Sequence, residues 1–429
     1  MSARLNILLS GMFDLDNYGD LLFPLVAQWR LGGFGYETIP VAPSARRPAI
    51  GDALAPLDIR QMLLDEEPIV GILVGGGYLI HASSLDFMER YQTDGAGAWS
   101  GVGLWLGATL AGALRDVPIA WNAPGVPHPF SSRQHPLIDM ALRATGYASV
   151  RDRGSAKLLG PPTDVNVRVV PDPVADIARL WPKQSLKATY QQLLRRKGVP
   201  ADARVLAIHV RNRSMRGLEP AALGAMLKTF AAQHGLVPAL VAVGASHDDP
   251  GTARLLAPHL GPSALLLDDP ASLKEITSVF AHGALYVGAS LHGYIVSAAY
   301  DTPGVLIARP AYQKFSGFLE HSGRLQDLAH DWPDALRLAA QRAREAAAAR
   351  IAPAVFAALD AHWQSIHEAF AAPARMRDAR RDFALALLRF GIDSEGPGWA
   401  LRSFPTRAMR APHPHSPAPN HQPKETPDG

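Results

Sequence analysis

The sequence predicts an α/β protein with two lobes, each built on a parallel β-sheet. The chain has 429 residues, which is too long for one ordinary core and suits two domains. Apolar residues make up 48% of the chain and charged residues 19%, which is enough apolar material for two buried cores. Short runs of β-forming residues alternate with helical patterns, and this alternation begins again after a proline-containing junction at 172–183.

The N-terminal lobe is predicted to span residues 1–183. Strand patterns alternate with helical ones, as in βαβ units, which place their strands in parallel. The strands are expected at 5–10, 69–74, 119–122 and 147–151, and the helices at 20–31 and after Ala82. We expect a hinge within the junction at 172–183, and helical periodicity returns at 186–197.

The C-terminal lobe is predicted to span residues 198–330. Its strands are expected at 204–210, 237–243, 285–289 and 304–308, and its helices at 272–281 and 293–300. Residues 331–402 are expected to form helices that pack back on both lobes, with a break or kink at Pro353. Residues 403–429 contain seven prolines among polar residues, so we predict a disordered tail.

Composition excludes several classes of protein. The absence of cysteine rules out disulfides, thiolate nucleophiles and cysteine-ligated metals. The net charge of +3 is spread along the chain without a basic run interleaved with aromatic residues, so we expect no nucleic-acid partner. The motifs GxxxxGK[ST], GxGxxG after a strand, HExxH and GxSxG are also absent, which weakens ordinary kinase, dehydrogenase, zinc-protease and lipase assignments.

The apolar segments do not predict export or a membrane span. Asp14 and Asp16 follow the apolar residues 5–9 too closely for a signal-peptide core. The apolar stretch 99–114 is interrupted by glycines and is shorter than the ~20 residues of a bilayer span, so it predicts a buried helix. We expect a cytoplasmic protein, with peripheral association at the inner face of the membrane as an alternative.

Two loops that follow strands of the N-terminal lobe are candidate binding segments. The first contains Asn17, Gly19 and Asp20 at the start of a helix, where free N–H groups favour ligands. Capping and turn closure would explain the same residues. The second is Gly75, Gly76 and Gly77, which could wrap a sugar or a phosphate or could form a crowded turn under a helix.

The sharpest candidate is the segment from Ser290 to Gly293, at the end of a buried strand. Ser290 is a typical N-cap residue, which places His292 in the first turn of a helix whose N-terminus favours an anion. A histidine there could act as general acid or base near neutral pH. A histidine that only bonds a loop carbonyl is the structural alternative.

Cationic or titratable side chains follow strands in both lobes, at Arg151, His209, Arg211 and Lys314. Arginine offers a fork that fits two oxygens of a carboxylate or phosphate, and lysine offers a point charge. Together they predict an anion site in the cleft, although each alone could be a surface charge. No metal is expected, because the run 247–249, the best candidate ligand set, is more typical of a polar turn.

These segments resemble, in order, the motifs of the polysaccharide pyruvyl transferase family. The resemblance covers about residues 7–318 and rests on these segments: Asn17 to Asp20, Gly75 to Gly77, Val150-Arg151-Asp152 with Ser155 and Leu158, Pro171-Asp172-Pro173, Ser290-Leu291-His292, Thr302-Pro303-Gly304-Val305, and Lys314. Two positions depart from it, because many members have Arg at the position of Ser290 and Asp at that of Ala284.

The resemblance implies a GT-B-like fold of two facing Rossmann-like domains with a central cleft. It implies phosphoenolpyruvate as donor substrate, no cofactor, and a saccharide or lipid-linked glycan of surface or exopolysaccharide biosynthesis as acceptor. His292 would be the general acid and base, and Arg151, Arg211 and Lys314 would hold the donor. The alternatives are a GT-B glycosyltransferase that uses a nucleotide sugar and a non-catalytic glycan-binding homologue.

Overall fold

A computed structural model describes residues 5–92, 95–245, 248–345 and 350–401. The described residues up to 384 form one compact unit, and those from 385 onward form a second, short one. The predicted tail at 403–429 lies outside the described residues. The division into domains at 183 and 198 stays a prediction.

The N-terminal half contains a five-stranded parallel sheet in the order β3-β2-β1-β4-β5. A parallel bridge between Ala120 and Tyr147 joins this sheet to the two-stranded parallel sheet β6-β7. Its strands are β1 (Leu5–Ser10), β2 (Tyr36–Ala42), β3 (Leu57–Asp58), β4 (Gly71–Val74), β5 (Ile119–Trp121), β6 (Ala148–Val150) and β7 (Val167–Val169). Its helices are α1 (Tyr18–Gly32), α2 (Ile59–Leu64), α3 (Gly97–Val102), α4 (Ala108–Leu114), α5 (His135–Ala144), α6 (Arg153–Leu159), α7 (Ile177–Leu180) and α8 (Lys187–Arg196).

The C-terminal half contains a six-stranded parallel sheet in the order β10-β9-β8-β11-β12-β13. Its strands are β8 (Val205–His209), β9 (Val237–Val241), β10 (Leu265–Leu267), β11 (Leu285–Gly288), β12 (Gly304–Ile307) and β13 (Leu328–Ala329). Its helices are α9 (Pro220–Gln233), α10 (Asp249–Leu260), α11 (Leu273–His282), α12 (Leu291–Ala299) and α13 (Gln313–Ser322). They are followed by α14 (Trp332–Arg342), α15 (Pro353–Ala371) and α16 (Arg377–Glu395).

Both sheets have the strand order of a Rossmann fold, because in each half the first strand lies between the second and the fourth. The strands β4, β8, β11 and β12 are buried along their whole length, as expected for parallel sheets covered by helices on both faces. In such sheets ligands bind beyond the carboxyl ends of the strands, where the order reverses. The two reversal points here lie between β1 and β4 and between β8 and β11.

The C-terminal helices pack on different parts of the fold. Trp332 and Leu336 of α14 are buried with the strands β8, β11 and β12, whereas Leu359 and Trp363 of α15 join a core that includes β1 and α1. The predicted break at Pro353 is confirmed, since α15 begins at this residue. Proline fits the first turn of a helix because the N–H it lacks would be unpaired there.

All eight predicted strands are present, and one predicted helix is misplaced. The buried helical stretch expected at 99–114 is present as α3 and α4, joined by the π-helical turn Gly103–Gly107. The helix expected after Ala82 begins only at Gly97, because residues 78–88 form an extended loop in which Ser84 bonds Asp86. Five strands were not predicted, namely β2, β3, β7, β10 and β13. Pro40 lies within β2, and proline is uncommon in strands, whereas the other four have only two or three residues each.

No helix within the described ranges has both the length and the apolar character needed to span a membrane.

Candidate functional site

A cavity of about 740 Å³ opens where the two sheets reverse their strand order. One wall comes from the loops after β1, β4 and β5 and from the segment after β6, and the other from the segments after β8, β11 and β12. Predicted site residues on its lining are Asn17, Asp20, Gly77, Arg151, Arg211, Ser290, His292 and Lys314. The structure therefore brings together most of the predicted side chains, including those separated by a large part of the chain.

His292 lies in the first turn of α12, as predicted, and is mostly buried. The hydroxyl Oγ of Ser290 caps this helix by accepting a hydrogen bond from the backbone N–H of Gly293 at 3.2 Å. The ring of Phe23 packs edge-on against the imidazole, with 5.6 Å between ring centroids. The imidazole is thus fixed by contacts from both halves of the fold.

Asp172 faces the imidazole from the junction between the two sheets. Its Oδ2 lies 3.6 Å from His292 Nε2 and 3.8 Å from Arg151 Nη1, and its side chain is almost completely buried. Burial by itself raises the pKa of Asp172, but the close approach and charge of His292, the charge of Arg151 and the hydrogen bond from the Val174 N–H outweigh it and hold this pKa below the usual value. Asp172 therefore stays ionised inside the fold.

Arg151 is buried at the end of β6, with its guanidinium stacked 4.3 Å from the ring centre of Tyr78. Its Nε lies 3.6 Å from Oδ2 of Asp152, and its buried Nε and Nη2 have no hydrogen-bond partner among the described residues. These two nitrogens lie next to Gly125, and a buried donor without a partner costs about 1–3 kcal/mol.

Lys314 reaches the cavity from the first turn of α13. Its Nζ lies 5.1 Å from the ring centre of Tyr78 and 5.5 Å from that of Tyr312. Burial, followed by the charges of Arg151, Arg211 and Arg213, lowers the pKa of Lys314 to about 7. A bound anion would offset the neighbouring positive charges and favour the protonated amine.

Arg211 lines the cavity, but His209 does not. His209 is completely buried at the end of β8, where its Nε2 is 3.0 Å from Oδ2 of Asp249. The other carboxylate oxygen of Asp249 lies 3.4 Å from Nε of Arg211. The prediction of His209 as a ligand-contacting residue is therefore not supported by its position, since His209 and Asp249 lie behind Arg211 instead.

Asn17 and Asp20 form a local pair at the start of α1. The amide Nδ2 of Asn17 donates a hydrogen bond to Oδ2 of Asp20 at 2.7 Å, and both side chains line the cavity. Burial raises the pKa of Asp20 more than the charges of His292, Lys314 and Arg151 lower it. Neither side chain caps a backbone N–H of α1, but Asn17 is the N-cap residue and its bond to Asp20 closes the first turn, so the structural alternative is met in part.

Most of the glycines in the predicted site have a packing role. A methyl group at Gly19 would overlap the imidazole of His292, and one at Gly76 would overlap the ring of Phe23. Gly75 and Gly293 are similarly crowded, against the Ser10 carbonyl and the Tyr286 hydroxyl, and none of these four lines the cavity.

For Gly75 and Gly76, two of the three glycines after β4, the alternative of a crowded turn is therefore correct. The exception is Gly77, which lines the cavity with a φ of +88°, a conformation that glycine adopts without strain.

Several lining residues were not predicted from the sequence. Arg213 lies beyond Arg211, where its Nη1 donates to the Tyr312 hydroxyl at 3.1 Å and its guanidinium lies over the Tyr312 ring. Its position two residues after Arg211 could have indicated that it lies at the same site. Tyr78, His81 and His128 line the opposite wall, and nothing in their local sequence distinguishes them from core or surface residues.

The described residues of the run 247–249, the candidate metal ligands, do not form a ligand cluster. Asp248 caps α10 by accepting a hydrogen bond from the N–H of Gly251, and Asp249 turns toward His209 and Arg211. His247 lies outside the described residues. No group of three or more metal-ligating side chains is found within the described ranges.

The model of the polysaccharide pyruvyl transferase family matches residues 17–310, well over half of the chain. The chain belongs to this family. The match includes every predicted site residue except Lys314, which follows its end. None of the curated proteins matches the chain by sequence.

Solved structures share the fold at low sequence identity. The UDP-GlcNAc 2-epimerase of Methanocaldococcus jannaschii is 10% identical, with a TM-score of 0.52 over 85% of this chain and 99% of that chain. The S. aureus MnaA–UDP co-structure is also 10% identical, with a TM-score of 0.50 over 92% of this chain and 97% of that chain. These similarities show the fold alone, which is GT-B-like with two facing Rossmann-like sheets and a central cleft.

Proposed function

We propose that this family member transfers the pyruvyl group of phosphoenolpyruvate, as a ketal, to two hydroxyls of a saccharide. One observation carries the proposal. Arg151, Arg211, Arg213 and Lys314 line the same cavity as His292. Phosphoenolpyruvate has a carboxylate and a phosphate on one reacting carbon, so its site needs several cations beside one proton donor.

The two ends of the donor find different partners. The planar fork of Arg151 fits a carboxylate, since its buried Nε and Nη2 have no hydrogen-bond partner among the described residues. Lys314, Arg211 and Arg213 line the same cavity and would hold the phosphate that leaves. Positive charge at the leaving group stabilises the negative charge that develops there in the transition state.

The chemistry requires one proton donor and balances without a cofactor. His292 gives a proton to C3 of the donor, and the positive charge that forms at C2 is attacked by the first acceptor hydroxyl. The bond between C2 and the phosphate oxygen then breaks, and the second hydroxyl closes the ketal ring. Of the two hydroxyl protons released, one returns to the imidazole and the other leaves on the phosphate.

The acceptor would lie against the N-terminal wall. Asp20 offers carboxylate oxygens for the acceptor hydroxyls, and Asn17 holds that carboxylate in place at 2.7 Å. Apolar side chains, among them Leu79, Phe87 and Pro127, complete the wall, a combination suited to the polar edge and apolar face of a sugar. We propose a saccharide or lipid-linked glycan of surface polysaccharide biosynthesis, met in the cytoplasm or at the inner face of the membrane.

Phosphate release from phosphoenolpyruvate in the presence of candidate glycans tests this function. We expect release that depends on the glycan, and we expect His292→Ala to lower it by about 100- to 10,000-fold with an unchanged melting temperature. UDP-sugars serve as alternative donors, because nucleotide-sugar glycosyltransferases use a related fold. Turnover with a UDP-sugar, or saturable glycan binding without any affinity for phosphoenolpyruvate, would contradict the proposal.

A further inference from the structure

The two ring nitrogens of His292 have different surroundings. Nε2 is buried and faces Oδ2 of Asp172 at 3.6 Å. Nδ1 lies on the other side of the ring, above Gly19. Because a neutral imidazole carries a proton on only one nitrogen, the partner of Nε2 decides which nitrogen is available to a substrate.

Asp172 is held rigidly enough to act as that partner. It lies between Pro171 and Pro173, and its Oδ1 accepts a hydrogen bond from the backbone N–H of Val174 at 3.0 Å. This bond leaves Oδ2 directed toward His292 and Arg151, and Oδ2 has no hydrogen-bond partner among the described residues. A distance of 3.6 Å exceeds a hydrogen bond, but catalytic hydrogen bonds are commonly long before substrate binds.

We propose that Asp172 is the positioning residue of His292: it keeps a proton on Nε2, so that Nδ1 is the nitrogen that exchanges protons with the substrates. The identity of those substrates rests on the proposed function, whereas the tautomer does not. The ionised state of Asp172 in the fold, noted above, agrees with this role. Gly19 allows this placement of the ring, because a methyl group there would overlap Nδ1.

The proton inventory follows from this arrangement. The imidazolium gives its Nδ1 proton to C3 of the donor and becomes neutral with its remaining proton on Nε2, facing Asp172. Nδ1 then has a free lone pair, which takes one proton from the acceptor hydroxyls and restores the imidazolium. Asp172 remains a carboxylate throughout and stabilises the positive ring, as the orienting acid does in other histidine-based sites.

Other charges also act on this ring. Asp20 approaches from α1, Arg151 from the end of β6, Arg211 from the segment after β8, and Lys314 from α13. The carboxylates favour the protonated ring and the cations oppose it. Among these groups Asp172 is the one whose carboxylate lies at ion-pair distance from the ring, 3.6 Å from Nε2.

Nitrogen NMR of the ¹⁵N-histidine-labelled protein tests the tautomer without any substrate, and His292→Ala identifies the signal. We expect neutral His292 to carry its proton on Nε2. In Asp172→Asn the Val174 N–H should keep the amide oxygen on the Oδ1 side, so that the amide NH₂ faces Nε2. The proton should then move to Nδ1. A wild-type protein with the proton on Nδ1, or an Asp172→Asn spectrum like that of wild type, would overturn the proposal.

A kinetic experiment tests the same proposal with the Asp172→Asn variant. We expect Asp172→Asn to lower kcat about 100-fold or more and to shift the high-pH limb of the kcat profile to lower pH, because the acid loses its proton more easily without the carboxylate. The matched control is Asp176→Asn, a buried carboxylate on the same segment that binds Arg30 and Trp363 instead of facing His292, and it should leave the limb unmoved. A loss of kcat with an unmoved limb would indicate a merely structural role.

Failure of the proposed function can be distinguished from failure of the proposed role of Asp172. If phosphoenolpyruvate is not turned over by any preparation, the proposed function fails, while the tautomer measurement still decides the role of Asp172. Asp172→Glu is a second variant in case the amide destabilises the fold. It should restore the Nε2 proton and part of kcat, and an Nδ1 proton in a folded Glu variant would contradict the proposal.

Discussion

The imidazole of His292 packs directly against the backbone of Gly19. The first turn of α1 comes so close to the ring that a methyl group at Gly19 would overlap Nδ1. A residue from the first loop of the N-terminal sheet thus helps to position a residue of the C-terminal sheet. Glycine is required here by close approach, since the backbone of α1 is ordinary helix at this point.

Gly19→Ala should abolish most activity by displacing this ring. We expect kcat for phosphate release to fall about 100-fold or more, because a small misplacement of a catalytic group has effects of this size. Gly32→Ala is the matched control in the same helix, since a methyl group there meets nothing within 4 Å. It should leave kcat unchanged. Equal activity of the two variants would show that His292 does not act from its observed position.

The lowered pKa of Lys314 predicts that donor binding weakens as pH rises. With a pKa of about 7, the amine of the free protein is charged below pH 7 and loses its charge as pH rises through this value. Affinity for phosphoenolpyruvate should therefore be greatest between about pH 6, where the phosphate becomes a dianion, and pH 7. Calorimetry in buffers of different ionisation enthalpy at pH 7.5 should show proton uptake on binding.

Lys314→Arg is the control for that pH dependence. Arginine stays charged throughout this range, so the fall in affinity above pH 7 should disappear even if absolute affinity is lower. An unchanged slope in this variant would assign the pH dependence to another group. In the unliganded protein at about pH 6, where the amine is charged, we also expect Lys314→Met to raise the free energy of unfolding by about 1 kcal/mol or more, because an unfavourable buried charge is removed.

Arg151→Lys should weaken donor binding although the charge is retained. Lysine cannot reproduce the two donors Nε and Nη2 that lie buried at this site, so we expect KM for phosphoenolpyruvate to rise about 10- to 100-fold. The control is Arg168→Lys, an exposed arginine on the neighbouring strand β7 that does not line the cavity. A rise in KM for the glycan alone would instead place Arg151 at the acceptor.

The sequence allows a good prediction of which edge of the fold carries the site, but a poorer one of the side-chain contacts within the site. Ser290 and His292 were found because a strand end, an N-cap and a helix start are local signals. The pairing of His292 with Asp172 was not, because these residues are far apart in the chain and meet only when the two halves assemble. His209 shows the converse, since a place at a strand end does not determine whether a side chain faces the cavity or the core.

The buried carboxylate of Asp176 is expected to contribute to stability rather than to activity. Its side chain is fully buried, accepts a hydrogen bond from Arg30 Nε at 2.7 Å and from Trp363 Nε1 at 3.1 Å, and so joins α1 to α15. Asp176→Ala should cost about 1–3 kcal/mol of unfolding free energy, because it leaves the buried Trp363 indole N–H without its acceptor and leaves Arg30 with only Asp360.

Asp360 provides the comparison, because it contacts the same Arg30 from a half-exposed position. Asp360→Ala should cost no more than about 1 kcal/mol. Urea unfolding of both variants measures the difference, and kcat of the folded fraction should match wild type in each, since neither residue lines the cavity. Similar losses of stability in the two variants would mean that the buried carboxylate contributes no more to stability than the half-exposed one. A lower kcat in Asp176→Ala would mean that the connection between α1 and α15 also holds Gly19 beneath His292.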